Sequence, residues 1–486
     1  MTLPHDTKET IDKPPLLLVV AGATGFVGRA LGPVLAKHFG EVRGLTRSAA
    51  RAGTHQDGYH LVQADLFSML DCERALEGAT HVIYLVHSME ASARLTQGSF
   101  RDMDLICADN MARAAKTAGV AQIIYLSGLI PPDADGNGLS EHLTSRLEVE
   151  RVLGAYGVPV TSLRAGLIIG ANGSSFQILR RLVRRLPVMV CPKWTRTPTQ
   201  PVALDDVVNL LDFCVGEEAV LNRHFDLGCP APTTYRDMMA RTAVLMGLKR
   251  RMYNVRVLSP GLSRLWVSVM TGAPRDLVKP LVQSLKHAMV AQDDAIYKLA
   301  GITPISFDEA VKRALNESGV AKPSAFRRAP KTRARVVRSV QRLPIPEGRD
   351  AHWAAQHYVR WLPGALRPFL RTVVDGERVS FRTFLFRKPL LTLEFSPDRS
   401  HRSRQLFYIV AGSLAVLKGR GRLELREVPG EQTLIAAIHD FHPRLPWFIY
   451  IYTQAPIHKL VMYAFGRRLV RLGGPPSEQL VEAEAD

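Results

Sequence analysis

At 486 residues, with 46% hydrophobic and 22% charged residues, the chain is long enough for two or three domains and too apolar to be disordered throughout. Its net charge of +18 points to an anionic partner, yet no recognised nucleic-acid-binding module is present and the basic runs lack interleaved aromatics, so nucleic acid is not expected. Cys72, Cys107, Cys191, Cys214 and Cys229 show no close pairing and no metal-ligand spacing, so no metal site is expected and the thiols fit a reducing cytoplasm.

Residues 1–15 are polar, hold no apolar signal segment and read as a loose tail. Residues 16–21 form a continuous apolar run, suited to a strand covered on both faces of a parallel sheet. Gly22, Gly25 and Gly28 follow, and "RALGPVLAKHF" then runs at helical period. Glycines at that spacing let bare backbone approach a pyrophosphate, and the helix start supplies amide donors through Thr24, Gly25, Phe26, Val27 and Gly28. The position between strand and helix is what lifts the triplet above a structural turn.

A second strand, "EVRGLTR", ends beside the expected adenosine ribose with Arg47 where an acidic residue would repel a 2′-phosphate. NADP(H) is therefore the expected cofactor, with NAD(H) as the alternative. "YHLVQADL" is a strand that brings Asp65 and Leu66 to the adenine edge. "ATHVIYLVHSM" is the next, its end, Val86 to Ser88, passing under the cofactor. A long amphipathic helix precedes "VAQIIYLSGL", which carries Ser127 at its carboxyl end. Alternating strand and helix predicts a doubly wound sheet with ligands beyond the carboxyl ends of its strands.

The segments "AGATGFVGRAL", "QADL", "IIYLSGL", "SRLEVERVL", "GVPVTSLRAGLIIGANGSSF", "TQPVALDDVV" and "GITPISFDEAVKRAL" appear in order over roughly residues 16–316. Together they resemble the atypical short-chain dehydrogenase/reductases, in the NmrA-like and epimerase-like branch of NAD(P)-binding proteins. The resemblance implies an oxidoreductase in which a tyrosine moves a proton while hydride transfers, a lysine four residues later lowers its pKa, and a Ser or Thr on the preceding strand orients the substrate oxygen. Ser127 matches the last role. His142 and Arg146 stand at the tyrosine and lysine positions, one helical turn apart. Histidine, with an ordinary pKa near 6.5 against about 10 for tyrosine, is a competent donor when protonated. A neighbouring arginine and the helix start favour its neutral form, which polarises a carbonyl but gives up a proton poorly. Arginine holds ribose or phosphate without relaying a proton. The pair therefore reads either as altered catalysis or as binding without turnover.

Residues 171–320 form a substrate-side extension, with Ser174, Ser175 and Phe176 as pocket-lining candidates; Arg180, Arg181, Arg184 and Arg185 recur at helical spacing, a solvated face or a site for an acidic group. Residues 321–350, which include eight basic and no acidic residues over 322–342, read as a solvated basic linker with an anionic membrane surface as the rival partner. From 351 to 473 the chain reads as strand-rich: a buried hairpin around 406–417, a hairpin in "GRLELREVPGEQTLIAAIHDF", and a helix entered after Pro456. An antiparallel sheet closed by a C-terminal helix is similar in architecture to the helix-grip START-like and polyketide-cyclase-like domains, which implies an apolar ligand. Residues 474–486 read as an acidic tail.

The expectation is an α/β protein with a doubly wound parallel Rossmann sheet followed by a smaller α+β domain. It is read as an NADP-dependent oxidoreductase acting on a small apolar carbonyl or enol substrate. A non-catalytic NADP(H)-sensing regulator or assembly factor, or a peripheral lipid-binding protein, is the alternative. No run of ~20 apolar residues is available for a spanning helix. The expected location is cytoplasmic, with contact at the inner face of an anionic membrane as a further expectation; oligomeric state is left open.

Overall fold

The computed structural model describes residues 16–87, 95–131, 139–255, 287–320, 336–368, 370–383, 387–417 and 421–475. It divides into two compact units, Met1–His87 with Cys107–Phe326, and Ser88–Ile106 with Arg327–Asp486. The tail expected at 1–15 and all but the first two residues of the one expected at 474–486 lie outside the described residues, as do 321–335 of the expected linker.

The first unit is built on an eight-stranded sheet. Its order across the sheet is Arg223–Leu227, Val160–Ala165, Gln122–Gly128, His81–Tyr84, Leu18–Ala21, Val42–Thr46, Tyr59–Gln63 and His55–Gln56. Every neighbouring pair is parallel except the last. Leu18, Val19, Val20 and Ala21 are completely buried, as a strand covered on both faces requires. The strand order reverses between Leu18–Ala21 and His81–Tyr84, the switch point at which sheets of this kind bind their ligands. Register sets what reaches that crevice. Ala21 is level with Leu45 and with Tyr84, and Tyr84 with Tyr125. Gly22, Arg47, Leu85–His87 and Ser127 therefore all emerge at the same carboxyl edge.

Beyond this sheet, three short two-stranded ladders pair Ile168–Ile169 with Val202–Ala203, Val188–Pro192 with Arg251–Val255, and Pro198–Thr199 with Thr233–Thr234. The helix Ser174–Arg185 packs a separate core there, in which Phe176 is wholly buried with Ile169, Leu179, Val183, Phe307 and Val311. Phe176 is thus a core residue and does not line a pocket. The sequence pattern could not distinguish a buried aromatic from a lining one. All five cysteines are buried.

The second unit is a sheet in the order Arg371–Asp375, Arg378–Arg382, Leu391–Phe395, Arg404–Ala411, Arg422–Glu427, Thr433–Phe441, Val337–Pro344 and Leu95–Gln97. The first seven strands pair antiparallel, and Leu95–Gln97 joins parallel to Val337–Pro344. The hairpin expected at 421–441 is present. The expected C-terminal helix is present as Gln454–Arg471, beginning two residues before Pro456 and not after it.

Three features differ from the sequence reading. The stretch read as linker holds the buried strand Val337–Pro344. The helix Ala351–Ala365 opens a region read as strand-rich, capped by Asp350, whose carboxylate accepts from the Trp353 amide at 2.8 Å. The run at 406–417 is not a hairpin: one strand ends at Ala411, and Val416 then donates to the His442 carbonyl at 2.8 Å. Gly412, with φ +147, turns the chain out of the ladder, and no second strand forms within 412–417.

One face of this sheet is apolar. Leu343, Leu423, Leu425, Leu434 and Phe407 pack there with Tyr358 and Leu362 of one helix and Phe465 and Leu469 of another. Alternate residues on those strands present charge to the opposite face, although they too are buried: Arg338, Arg342, Arg404, Arg422, Glu424, Arg426 and His439. Arg342 donates from Nε to Asp102 at 2.6 Å, and Arg404 from Nε to Glu424 at 2.5 Å. Arg426 also donates to Glu424, and Arg338 and Arg422 both engage Asp440.

Candidate cofactor and catalytic site

The turn from the first strand into the helix Phe26–Phe39 is shaped by its glycines. Gly22 has φ +94, and a Cβ there would lie 3.1 Å from the Leu85 carbonyl carbon. A Cβ on Gly28 would come within 2.4 Å of the Gly22 carbonyl oxygen, a space that admits only hydrogen. Gly25 donates to that same oxygen at 2.9 Å, and the helical ladder begins only with Arg29 donating to Gly25. The amides of Phe26, Val27 and Gly28 precede that first rung and have no intrahelical acceptor. No acidic residue occupies the first turn. The result is an anion cradle in which positive backbone charge meets no competing carboxylate.

Side chains around the cradle mostly serve to hold it. Val27 is buried in the main core, and Phe26 packs its ring against Gly170 and Gly173. The Thr24 carbonyl accepts from Arg29 Nε at 3.0 Å. Arg47 is exposed, one residue beyond Val42–Thr46. Asp65 shapes its own turn, its carboxylate accepting from the Phe67 amide at 3.3 Å while its amide donates to Asp71. Leu66 is buried, and its carbonyl accepts from Asn110 Nδ2 at 2.8 Å. Asn110 gave no sequence signal, because only folding brings its helix against this loop. Val86 is half-buried just beyond His81–Tyr84.

Ser127 is buried near the end of Gln122–Gly128, and its Oγ has no hydrogen-bond partner among the described residues. His142 sits in the first turn of the helix Glu141–Gly154, which Ser140 caps by accepting from the Leu143 amide. Its Nδ1 is buried without a partner among the described residues. Arg146 lies one turn on and donates from Nη1 to the Tyr125 hydroxyl and to the Leu126 carbonyl, both at 3.3 Å, while its Nε is unpartnered among the described residues. These contacts anchor Arg146 on the strand that carries Ser127. The three residues singled out in the sequence therefore lie on one packed strand and helix at the carboxyl edge of the sheet.

His87 lies in the strand end expected under the cofactor, but its approach to His142 gave no sequence signal. Its ring lies 4.9 Å from that of His142, tilted by 51°. Burial, then the Arg146 charge and then His87, push the His142 pKa well below its ordinary value. The imidazole is accordingly neutral at pH 7. It offers a hydrogen bond and takes up a proton only in acid.

Comparison with known proteins agrees with the cradle. Residues 22–181 match the family described as NAD(P)H-binding. Auxiliary protein GraX of Staphylococcus aureus (strain NCTC 8325 / PS 47) is 31% identical over 150 residues, which are 30% of this chain and 43% of that protein. The chain thus spans less than half the length of that relative. Among solved structures, the NADPH-dependent quinone oxidoreductase of Escherichia coli is 20% identical with a TM-score of 0.49, over 62% of this chain and 100% of its own. The triphenylmethane reductase of Citrobacter sp. is 19% identical with a TM-score of 0.49, over 62% of this chain and 100% of its own. The first unit carries an NAD(P)H-binding Rossmann domain.

Proposed function

We propose that the first unit binds NADPH and reduces an apolar carbonyl or enol compound. The observation that carries this reading is the pair of buried polar atoms without partners among the described residues, Ser127 Oγ and His142 Nδ1, at the edge where the cradle lies. A buried polar atom left unsatisfied is costly, and a substrate oxygen would satisfy both. The bound cofactor would supply hydride. Ser127 would orient the substrate oxygen, neutral His142 would polarise it by hydrogen bonding, and Arg146 would hold ribose or phosphate. Arg47, exposed at the end of its strand, supports NADPH over NADH through a 2′-phosphate.

A second reading, binding without turnover in a redox-sensing regulator or assembly factor, is supported by the same His142. Held neutral beside a cation, it is a weak proton donor. NADPH oxidation followed over apolar ketones, enones and aldehydes separates the two readings. Turnover that falls in Ser127→Ala with NADPH affinity unchanged supports the reductase; tight NADPH binding with no turnover on any of them supports the regulator. For the second unit, helices packed on one face of an antiparallel sheet support a START-like, ligand-carrying role for an apolar molecule.

A further inference from the structure

We propose that the two C-terminal helices form a docking surface for an anionic phospholipid bilayer. The helix Gln454–Arg471 buries Val461, Met462, Phe465 and Leu469 on its inner face. Ile457, Leu460, Ala464, Arg467 and Arg471 are exposed, at steps of three and four residues that place them in one row. That row is apolar in its first half and cationic in its second.

The apolar half does not end with this helix. On the preceding helix, Trp447–Tyr452, Phe448 is 66% and Tyr452 79% exposed, against 59% for Ile457 and 66% for Leu460. Val416 and Leu417 are exposed as well, on the loop that is tied to the start of these helices by Val416 donating to the His442 carbonyl and Arg444 to the Leu414 carbonyl. Apolar residues scattered singly over a surface need no account, but a run of aromatic and aliphatic side chains on adjoining segments does.

Charge decides the occupant. The described residues 441–475 contain no aspartate or glutamate and five basic residues, Arg444, Lys459, Arg467, Arg468 and Arg471; the acidic tail, with Glu478, Glu482, Glu484 and Asp486, lies outside the described residues. A second copy of the chain would set this cationic surface against itself. An anionic lipid surface complements it, taking aromatic and aliphatic groups at the headgroup boundary and arginines at the phosphates. Among the described residues no helix is long and apolar enough to cross a membrane, so the contact would be peripheral.

Flotation of the full chain with vesicles of phosphatidylcholine and phosphatidylglycerol, against pure phosphatidylcholine vesicles, tests this. Flotation with the anionic vesicles, weakened by salt, is expected. Phe448→Ser with Leu460→Ser, and separately Lys459→Glu with Arg471→Glu, should each weaken it about tenfold or more. NADPH affinity and melting temperature, measured on the same samples, should stay unchanged. Absence of flotation at low salt, or flotation that neither variant weakens, overturns the proposal. So does a dimer in light scattering that the same substitutions dissociate, since the surface would then belong to a second copy.

Discussion

The two sheets of this molecule handle charge in opposite ways. In the first unit the important charge is partial and belongs to the backbone: amides at the start of Phe26–Phe39, exposed by glycines that keep side chains away. In the second unit it is carried by whole side chains buried on one face of a sheet, with Arg404 and Arg426 converging on Glu424, and Arg342 on Asp102. A backbone site depends on local conformation, so it leaves a local signature. A buried ionic face depends on residues far apart in sequence: Asp102 and Arg342 are separated by 240 positions.

The contrast can be tested from its costliest element downward. Glu424→Gln leaves two arginines facing a neutral amide in a buried setting, and about 3–5 kcal/mol of stability should be lost in denaturant unfolding. A loss below ~1 kcal/mol would mean that the network contributes little. Next is His439, whose pKa is pushed down to about 4 by burial and then by Arg422. Unfolded, it binds a proton near pH 6.5; folded, it does so only near pH 4. Between those values the unfolded state holds more protons, so stability should fall as the pH is lowered through that window. The loss is on the order of 3 kcal/mol at most, at about 1.4 kcal/mol per tenfold change in proton affinity. His439→Gln should flatten that slope, and an unchanged slope would assign it elsewhere.

The backbone site should respond differently. Gly28→Ala forces a methyl toward the Gly22 carbonyl, which should destabilise the first unit by roughly 1–3 kcal/mol and abolish calorimetric NADPH binding. Retained binding would show that the turn relaxes. The smallest expected effect is Arg47→Asp. It should weaken NADPH about tenfold relative to NADH, the equivalent of roughly 1.4 kcal/mol, and equal losses for both would remove Arg47 from the 2′-phosphate.

Legibility in the sequence followed the same division. The glycine turn, the parallel strands and the grouping of Ser127, His142 and Arg146 could be read from spacing and resemblance, because each lies within one strand–turn–helix unit or at a strand end. Asn110 and the approach of His87, itself in the strand end expected under the cofactor, to His142 could not. Both residues reach the site from other segments, and their neighbours in sequence say nothing of His142 or Leu66. Phe176 had a helical position but no indication of which side would be covered.

The basic run at 322–342 shows most directly what sequence leaves undecided. Composition and prolines there read as solvated linker, yet Arg338 and Arg342 lie on a buried strand, paired with Asp440 and Asp102. The chain by itself determined the dinucleotide cradle, since positive φ and close backbone approach are local properties that glycine alone satisfies. Only the tertiary structure decided which arginines would be solvated and which buried, because the cost of burying a charge depends on whether a carboxylate from elsewhere in the fold arrives to meet it.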